Sequence, residues 1–497
     1  MAGGVGAFFE SHKELGSLGR LALRAGTASV GMQYVNGALQ IIGAIVLARL
    51  LAPEDFGLVA IVTVVTSFAP LLIDFGLGDA TTQRKDITQG QVSSLFWLSS
   101  GIGLATALVV ASCGPLIASI FGDPRLAPIA VYSAFVFVLY GAANQHMALL
   151  RRTMQFGKIA IIQIVGTLIG TAISILLAAR GYHYWALVFR PIVTWLCIVL
   201  GTWAACPWLP GVPLIDEEVK SMIRFGLNVV AFSVIYTVAR AIDRIALGLF
   251  YRTEDVGYYQ NATTLYENSI RSTFGQLHTV GSAALSKLQS NPAALRQKYE
   301  AALSAVAFFM MPASAILSVT GQDLTVILLG EKWRDAGVLL SILALRGIFQ
   351  SIELSQGWLH LSIGQAHRWR NWAIVTMIVQ LLTILGGLPF GAAGIAVAVV
   401  ITSVFLAVPS ISYAGHPIGI GGAVVIRAAG RQLIGAISAA AAGWWLQTFA
   451  LSHSSSIARI ILSAAFCAGI YLFIVVGLFR LTEPVKVATK IWQRAEI

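Results

Sequence analysis

The sequence predicts an all-α polytopic membrane protein with about fourteen transmembrane helices, arranged as two pseudo-symmetric six-helix lobes and two further C-terminal helices. Composition is the first reason: of 497 residues, 57% are hydrophobic and only 11% are charged, whereas an average soluble domain carries about 25% charged residues. Spacing is the second, because apolar stretches of the roughly 20 residues needed to cross a bilayer follow one another with short linkers. This pattern leaves no room for a soluble catalytic domain.

An internal repeat is the reason for predicting two lobes. Leu47–Leu58 reads LARLLAPEDFGL, and 200 positions further on Leu247–Tyr258 reads LGLFYRTEDVGY, each between two apolar runs. A weaker echo relates LIASIFG at 116–122 to LTVILLG at 324–330. Six predicted spans separate the two motif copies, so both copies share one orientation and the pseudo-symmetry axis should follow the membrane normal.

The N-terminal elements come first. Residues 1–27 lack the apolar core and cleavage site of a signal peptide, and they are expected to form an uncleaved amphipathic segment in the cytoplasm. The N-terminal lobe is expected at 28–205, with spans at 28–51, 57–78, 92–120, 127–150, 158–179 and 183–205.

A polar, proline-rich stretch at 206–225 then provides the cytoplasmic linker between the lobes. The C-terminal lobe is expected at 226–413, with spans at 226–250, 256–285, 300–320, 336–363, 372–388 and 391–413. Residues 414–480 supply a connection and helices 13 and 14, at 429–450 and 457–479, which have no partner in the repeat. Residues 481–497 form a tail.

Charge predicts the orientation. The formal net charge is +11, and the loop lysines and arginines fall mainly on the side that holds both termini, which the positive-inside rule assigns to the cytoplasm. In a multi-pass protein this basic excess sets orientation, and nucleic acid is not an expected partner. No nucleotide-binding loop or metal-ligand spacing occurs, so neither an enzyme nor a cofactor is predicted.

Charged residues inside the predicted spans are the candidate functional residues, because each costs at least about 2.5 kcal/mol near the bilayer centre. Apart from Arg190, they follow helical spacing and so share helix faces. The seventh span carries Ser233, Tyr236, Arg240, Asp243 and Arg244; the eighth carries Gln260, Thr264, Glu267, Arg271 and His278; the tenth carries Arg346, Gln350, Glu353 and His360. The N-terminal lobe carries fewer charged residues in these faces. Its polar residues are Gln33, Asn36 and Gln40 in the first span, Asp74 in the second, and Tyr140 and Asn144 in the fourth.

Two interpretations of these residues stay open. In the simpler one, the arginines and carboxylates pair and hold helices together, and the histidines form ordinary buried hydrogen bonds. In the sharper one, Arg240, Arg244, Arg271 and Arg346 line a water-filled cavity that binds an anion, phosphate above all, because guanidinium is planar, bidentate and permanently charged. The acids Asp74, Asp243, Glu267 and Glu353 would then support the arginines or bind a coupling ion.

The stretch ARLLAPEDFGLVAIVTVVTSFAPLLIDFGLGDATTQRKD, at 48–86, resembles the signature of the Wzx-type oligosaccharide flippases of the MOP exporter superfamily. The resemblance implies two bundles that form a V around a central cavity, as in the related MATE transporters. It also implies a multi-pass protein of the bacterial inner membrane that moves undecaprenyl-pyrophosphate-linked oligosaccharide to the outer leaflet. Coupling to protons or sodium ions, and contacts with polymerase and chain-length proteins, stay open.

Two other functions compete with this one. A multidrug antiporter of the same superfamily would share the fold, but the excess of arginine over acid does not suit a cationic drug. A polytopic glycan polymerase or ligase would share the lipid-linked substrate, but such an enzyme usually carries a large external catalytic loop. The longest external loop expected here runs only from about Thr320 to Asp335.

Overall fold

The computed structural model describes residues 15–67, 73, 78, 81–82, 87–213, 237, 241–271, 285, 288–289, 291–363 and 365–481. These residues are mostly helical, the others lie in turns and irregular connections, and none of them lies in a β-strand. Ten helical stretches among them are long and apolar enough to cross a membrane. The predicted all-α, multi-pass class is therefore confirmed. Predicted spans 57–78, 226–250 and 256–285 lie partly outside the described residues, so the count of fourteen stays a prediction.

The first group of helices runs from α1 to α7. Their bounds are α1 Leu15–Leu50, α2 Pro53–Thr66, α3 Gln89–Ser112, α4 Gly114–Phe121, α5 Leu126–Arg152, α6 Phe156–Ala179 and α7 Trp185–Ala205. Helix α1 begins inside the predicted amphipathic segment and continues into the first span. The predicted span 92–120 is divided at Cys113, because Pro115 has no N–H to continue the ladder of α3.

The second group starts with residues 241–250, which are helical, and α8 Thr253–Tyr266, which continues into a π-helical turn at Glu267–Arg271. The following helices are α9 Pro292–Leu329, α10 Arg334–Glu353, α11 Gln356–Ile363, α12 Ala366–Gly387, α13 Gly391–Gly415, α14 Gly422–Trp445 and α15 Ser456–Leu472. Helices α14 and α15 end in π-helical turns at Leu446–Ala450 and Phe473–Leu478.

Local chemistry explains where several helices begin. Pro53 opens α2 with its fixed φ, and the Asp55 carboxylate accepts a hydrogen bond from the Ala52 N–H at 3.0 Å. Thr88 and Gln91 form a reciprocal capping box at the start of α3, with hydrogen bonds of 3.1 and 3.3 Å. Between α12 and α13 the chain reverses at Gly391, whose φ of +71° suits only glycine at low cost.

The chain divides into two compact units, Met1–Gly257 and Tyr258–Ile497. In the first unit α6 packs on α1 and α7, and α5 packs on α3 and α7. Glycines make these contacts close: a Cβ on Gly103 of α3 would lie 2.6 Å from the Phe137 carbonyl oxygen, and one on Gly141 of α5 would lie 2.7 Å from that of Ser99. Close packing through small residues is typical of membrane helices.

The second unit is built around α9, which packs on α10, α14 and α15, while α13 packs on α10 and α12. This division falls within the second copy of the repeated motif. The predicted linker 206–225 belongs to the first unit, and its part from 214 lies outside the described residues. The predicted limits of the two six-helix lobes stay a prediction.

Candidate functional site

Helix α10 presents the polar face that its spacing predicts. Arg346 is half-buried and donates from Nε to the Ser403 hydroxyl of α13 at 3.2 Å. Glu353, two turns further along α10, interacts electrostatically with Arg346 and also hydrogen-bonds Ser403. Gln350, between them, is buried and accepts a hydrogen bond from the Tyr266 hydroxyl at 2.5 Å. The second unit therefore places Arg346, Glu353 and Ser403 together.

The π-helical turn that follows α8 lies directly beside this polar face. It contains Glu267, which is half-buried, and the backbone of Arg271. A Cβ on Gly347 of α10 would lie 3.3 Å from the Ile270 side chain, so the turn packs closely on α10. Single π turns inside α-helices are frequent at functional sites. The Arg271 side chain lies outside the described residues, and its predicted role stays a prediction.

His360 lies in α11, beyond the end of α10. The predicted helix 336–363 is interrupted: α10 ends at Glu353, and the Ser355 hydroxyl bonds to the Ile352 carbonyl at 2.7 Å and pairs with the Tyr299 hydroxyl at 2.8 Å. His360 is 1% exposed, and its ring stacks on that of Trp369 at 6.1 Å between centroids. Among the described residues its ring nitrogens have no hydrogen-bond partner. Its predicted place beside Arg346 and Glu353 stays a prediction.

The helical residues just before the second motif copy contribute an acid and an arginine to the first unit. Asp243 is buried and accepts a hydrogen bond from the Arg244 backbone N–H at 2.9 Å, while the Arg244 Nε lies 3.6 Å from the same oxygen. Arg240 and Tyr236, predicted on the same face, lie outside the described residues, as do Asp74 and His278. Their predicted roles stay predictions.

The backbone of α1 contacts an arginine that the predicted site did not include. Gln33 and Gln40 are exposed and Asn36 is half-buried. Arg190 of α7 points its Nη2 at the Gln40 main-chain oxygen, 3.5 Å away. Face analysis along single helices missed Arg190 because α7 has no other charged residue. The sequence feature that could have identified Arg190 as a site residue is that its predicted span contains no acidic residue.

Asn144 is buried beside a polar network of the first unit. It is 7% exposed, and its neighbour Gln145 accepts a hydrogen bond from the Thr81 hydroxyl at 2.8 Å. Arg152 donates to the Thr81 carbonyl at 3.0 Å. On the same helix His146 bonds the Trp208 carbonyl at 3.1 Å and stacks on Trp203. The Asn144 Nδ2 has no hydrogen-bond partner in the described part of the chain, and the predicted role of this residue stays a prediction.

The repeated motifs contact each other reciprocally inside the first unit. A Cβ on Gly57 would overlap the Thr253 carbonyl, and a Cβ on Gly257 would overlap the Pro53 carbonyl. Each glycine therefore faces the carbonyl oxygen that opens the other copy's helix. The sequence repeat at an offset of 200 corresponds to a nearly two-fold contact between the start of α2 and the first turn of α8.

Solved structures with similar folds define the class of protein. The lipid II flippase MurJ, in an inward closed conformation, matches with a TM-score of 0.69 over 91% of this chain and 98% of that chain, at 14% identity. An inward-facing multidrug resistance MATE family transporter of the MOP superfamily matches with a TM-score of 0.57 over 77% and 94%, at 14% identity. The chain has the fold of these multi-pass membrane transporters.

The sequence comparison then gives the family. The profile described as polysaccharide biosynthesis protein matches residues 46–338, which is more than half of the chain, and the chain belongs to this family. The resemblance predicted from residues 48–86 is confirmed.

Curated relatives are similar over part of their length. The lipopolysaccharide biosynthesis protein WzxC of Escherichia coli K12 is 26% identical over 313 residues, covering 62% of this chain and 63% of the relative. The succinoglycan biosynthesis transport protein ExoT of Rhizobium meliloti is 22% identical over 353 residues, covering 71% and 70%. The chain thus spans about two thirds of the length of these relatives.

Proposed function

We propose that this protein is a flippase for undecaprenyl-pyrophosphate-linked oligosaccharide repeat units. It moves them from the cytoplasmic to the periplasmic leaflet of the inner membrane, for assembly of an exopolysaccharide, O-antigen or capsule. The observation that carries this proposal is the family match over residues 46–338. The fold shared with a lipid II flippase is consistent with it. Alternating access lets the sugar and pyrophosphate cross while the polyprenyl tail stays in lipid.

Arg346 illustrates the chemistry that this function needs. Its guanidinium stays charged at any physiological pH and offers donors in a planar fork that matches a pyrophosphate oxygen pair. In the structure one donor binds Ser403, and Glu353 lies beside the same two residues. Glu353 would hold the arginine when no substrate is bound, or take up a coupling proton or sodium ion. Arg240, Arg244 and Arg271 are proposed to add positive charge to the same substrate path.

The test is to delete the gene and measure lipid-linked oligosaccharides by leaflet, together with finished polymer. Complete repeat units should accumulate on the cytoplasmic leaflet while polymer is lost, and the wild-type gene should reverse both changes. Membrane content of each tested variant is measured in parallel, so that loss of protein is not read as loss of transport.

Other outcomes separate the competing functions. Repeat units that reach the outer leaflet but stay unpolymerised would indicate a polymerase. Unchanged lipid pools and polymer, combined with drug sensitivity of the deletion strain, would indicate a multidrug antiporter and contradict the flippase proposal. Polymerase and chain-length proteins are proposed partners, and co-purification from the wild-type strain would detect them.

A further inference from the structure

Arg190 of α7 is a charged residue in a membrane helix, and none of the described residues is its ion-pair partner. No described carboxylate lies within 4.0 Å of its guanidinium. Its one hydrogen bond in the described part of the chain, to the Gln40 carbonyl, is 3.5 Å long, at the outer limit for such a bond. A guanidinium carries five N–H donors and stays charged, so most of its binding capacity is unused.

The side chain of Arg190 extends from α7 to α1. Its Nη2 lies 3.5 Å from the Gln40 carbonyl oxygen, and a Cβ on Gly43 would lie 3.2 Å from the same nitrogen. A Cβ on Gly170 of α6 would lie 2.9 Å from the Arg190 carbonyl oxygen. Arg190 therefore lies where α1, α6 and α7 meet.

The guanidinium lies near the Thr171 hydroxyl of α6, across from Gly43 of α1. The Thr171 hydroxyl is buried and has no hydrogen-bond partner in the described part of the chain, and the residue is 9% exposed. Gly43 leaves the space for the arginine: a Cβ there would lie 3.2 Å from the Arg190 Nη2 and closer still to the Thr171 methyl group. Arg190 and Thr171 therefore offer unused donors at one place.

We propose that Arg190, assisted by Thr171, binds a phosphate group of the lipid-linked substrate, at a position in the first unit. This inference rests on the proposed flippase function. Burying an unpaired guanidinium is costly, and a phosphate oxyanion offsets that cost by accepting two parallel N–H bonds. The same chemistry could bind a bilayer phospholipid, so the test must separate the two sources.

The experiment uses the purified full-length protein and native mass spectrometry with three lipids: undecaprenyl pyrophosphate, undecaprenol and phosphatidylglycerol. Arg190→Gln should weaken binding of undecaprenyl pyrophosphate about 10-fold to 100-fold, as expected for a lost hydrogen bond to a charged group. Binding of undecaprenol, which has no phosphate, should not change. Arg190→Lys should bind with intermediate affinity because it keeps the charge but loses the fork.

The matched control is Arg180→Gln, which removes an exposed arginine just after α6 and should bind all three lipids as the wild type does. Thermal unfolding of each variant shows whether it is folded, and Arg190→Lys keeps the test usable if Arg190→Gln is not.

Two results would overturn the proposal: unchanged undecaprenyl pyrophosphate binding by Arg190→Gln, or an equal loss of phosphatidylglycerol binding, which would mark a general lipid-phosphate site. A wild-type protein that binds no undecaprenyl pyrophosphate would contradict the flippase function itself.

Discussion

At the level of single residues, Arg346 shows how this chain places a permanent charge inside a transmembrane helix. The guanidinium shares Ser403 with Glu353, seven residues further along α10, so neither charge faces lipid alone. Both residues are half-buried. A carboxylate that neutralises an arginine at rest and can be displaced by a stronger anion is compatible with binding and release of a phosphate group.

Arg346→Gln should abolish export of repeat units and destabilise the protein, because it leaves Glu353 partly buried without its cation. Glu353→Gln should also destabilise the protein. The double variant should recover part of the lost stability, with a coupling free energy of about 0.5–3 kcal/mol between the two positions. Thermal unfolding in detergent and the polymer assay measure the two effects.

Arg334→Gln is the control for this pair, since Arg334 opens the same helix and forms an exposed pair with Glu331. Exposed pairs contribute roughly 0–1 kcal/mol, so this variant should behave as the wild type. Additive losses of stability at Arg346 and Glu353 would show that the two side chains act separately. Normal export by Arg346→Gln would contradict a role of Arg346 in transport.

The candidate site could be predicted from sequence only along each helix. Spacing placed Arg346, Gln350 and Glu353 on one face of α10, because residues three and four apart are neighbours on a helix. It could not show that Ser403 of α13 faces Arg346, or that Arg190 of α7 reaches Gln40 of α1, because a spacing rule contains no information about neighbouring helices. The turn at Ser355 was not predicted because it has no glycine or proline to reveal it, and the role of His360 stays a prediction.

At the level of elements, the repeated motif both opens helices and joins them. Its acidic pair lies in the first turn of α2 and of α8, where negative charge suits the helix N-terminus. Its glycine lies one turn later and faces the other copy's carbonyl. The coincidence of Gly57 with Gly257 is therefore explained by a contact that tolerates no side chain on either helix.

Gly57→Ala and Gly257→Ala should each lower the unfolding temperature, with a loss of about 1–3 kcal/mol for overpacking, because the new methyl group would overlap a carbonyl oxygen. Thermal unfolding of the purified variants measures this loss. The reciprocal geometry predicts similar losses at both positions.

Gly101→Ala on α3 is the matched control, since a Cβ at Gly101 meets no atom within 4 Å. Removing a helical glycine there should stabilise by roughly 0.5–1 kcal/mol. If Gly57→Ala proved as harmless as Gly101→Ala, the close contact between the two motif copies would be disproved.

The last two helices, α14 and α15, are attached to α9 by polar contacts along its length. The Asp323 carboxylate of α9 binds Arg459 of α15 through two hydrogen bonds and accepts another from Gln447 at 2.9 Å. Further along, the Tyr471 hydroxyl donates to the Phe308 carbonyl at 2.9 Å. Although these helices have no counterpart in the repeat, they are fixed to the second unit.

Asp323→Asn should loosen this attachment, because Arg459 would remain largely buried without its anion, and a loss of about 3 kcal/mol is expected. Limited proteolysis in the loop at 451–455 and thermal unfolding report the change. Arg427→Gln, which removes a more exposed pair with Glu300, should leave both readouts nearly unchanged. Equal behaviour of the two variants would mean that Asp323 contributes no anchoring.

At the level of the whole molecule, composition was sufficient for the fold class. Apolar stretches near the length of a bilayer crossing predict helices because lipid cannot satisfy backbone hydrogen bonds. Exact limits could not be predicted in the same way. The continuation of α1 back to Leu15 depends on a helix end outside the apolar core, whereas the break at Cys113 follows from Pro115.

Orientation links the fold to the direction of transport, and the loops of the first unit allow a direct test. The connection between α5 and α6 is flanked by Arg151, Arg152 and Lys158, whereas the one between α6 and α7 contains Arg180 alone. The positive-inside rule therefore places Met154 in the cytoplasm and Tyr182 outside. Both side chains are exposed, at 39% and 53%.

In intact cells an impermeant maleimide should label Tyr182→Cys but label Met154→Cys only after the membrane is permeabilised. The unsubstituted protein gives the background. Burial raises the pKa of the Cys206 thiol to about 11, so at pH 7.5 this thiol stays protonated and unreactive, since the thiolate is the form that attacks the reagent. Reversed labelling would place Arg190 in the cytoplasmic half of the membrane. A phosphate bound to Arg190 would then mark the entry of the substrate instead of its release.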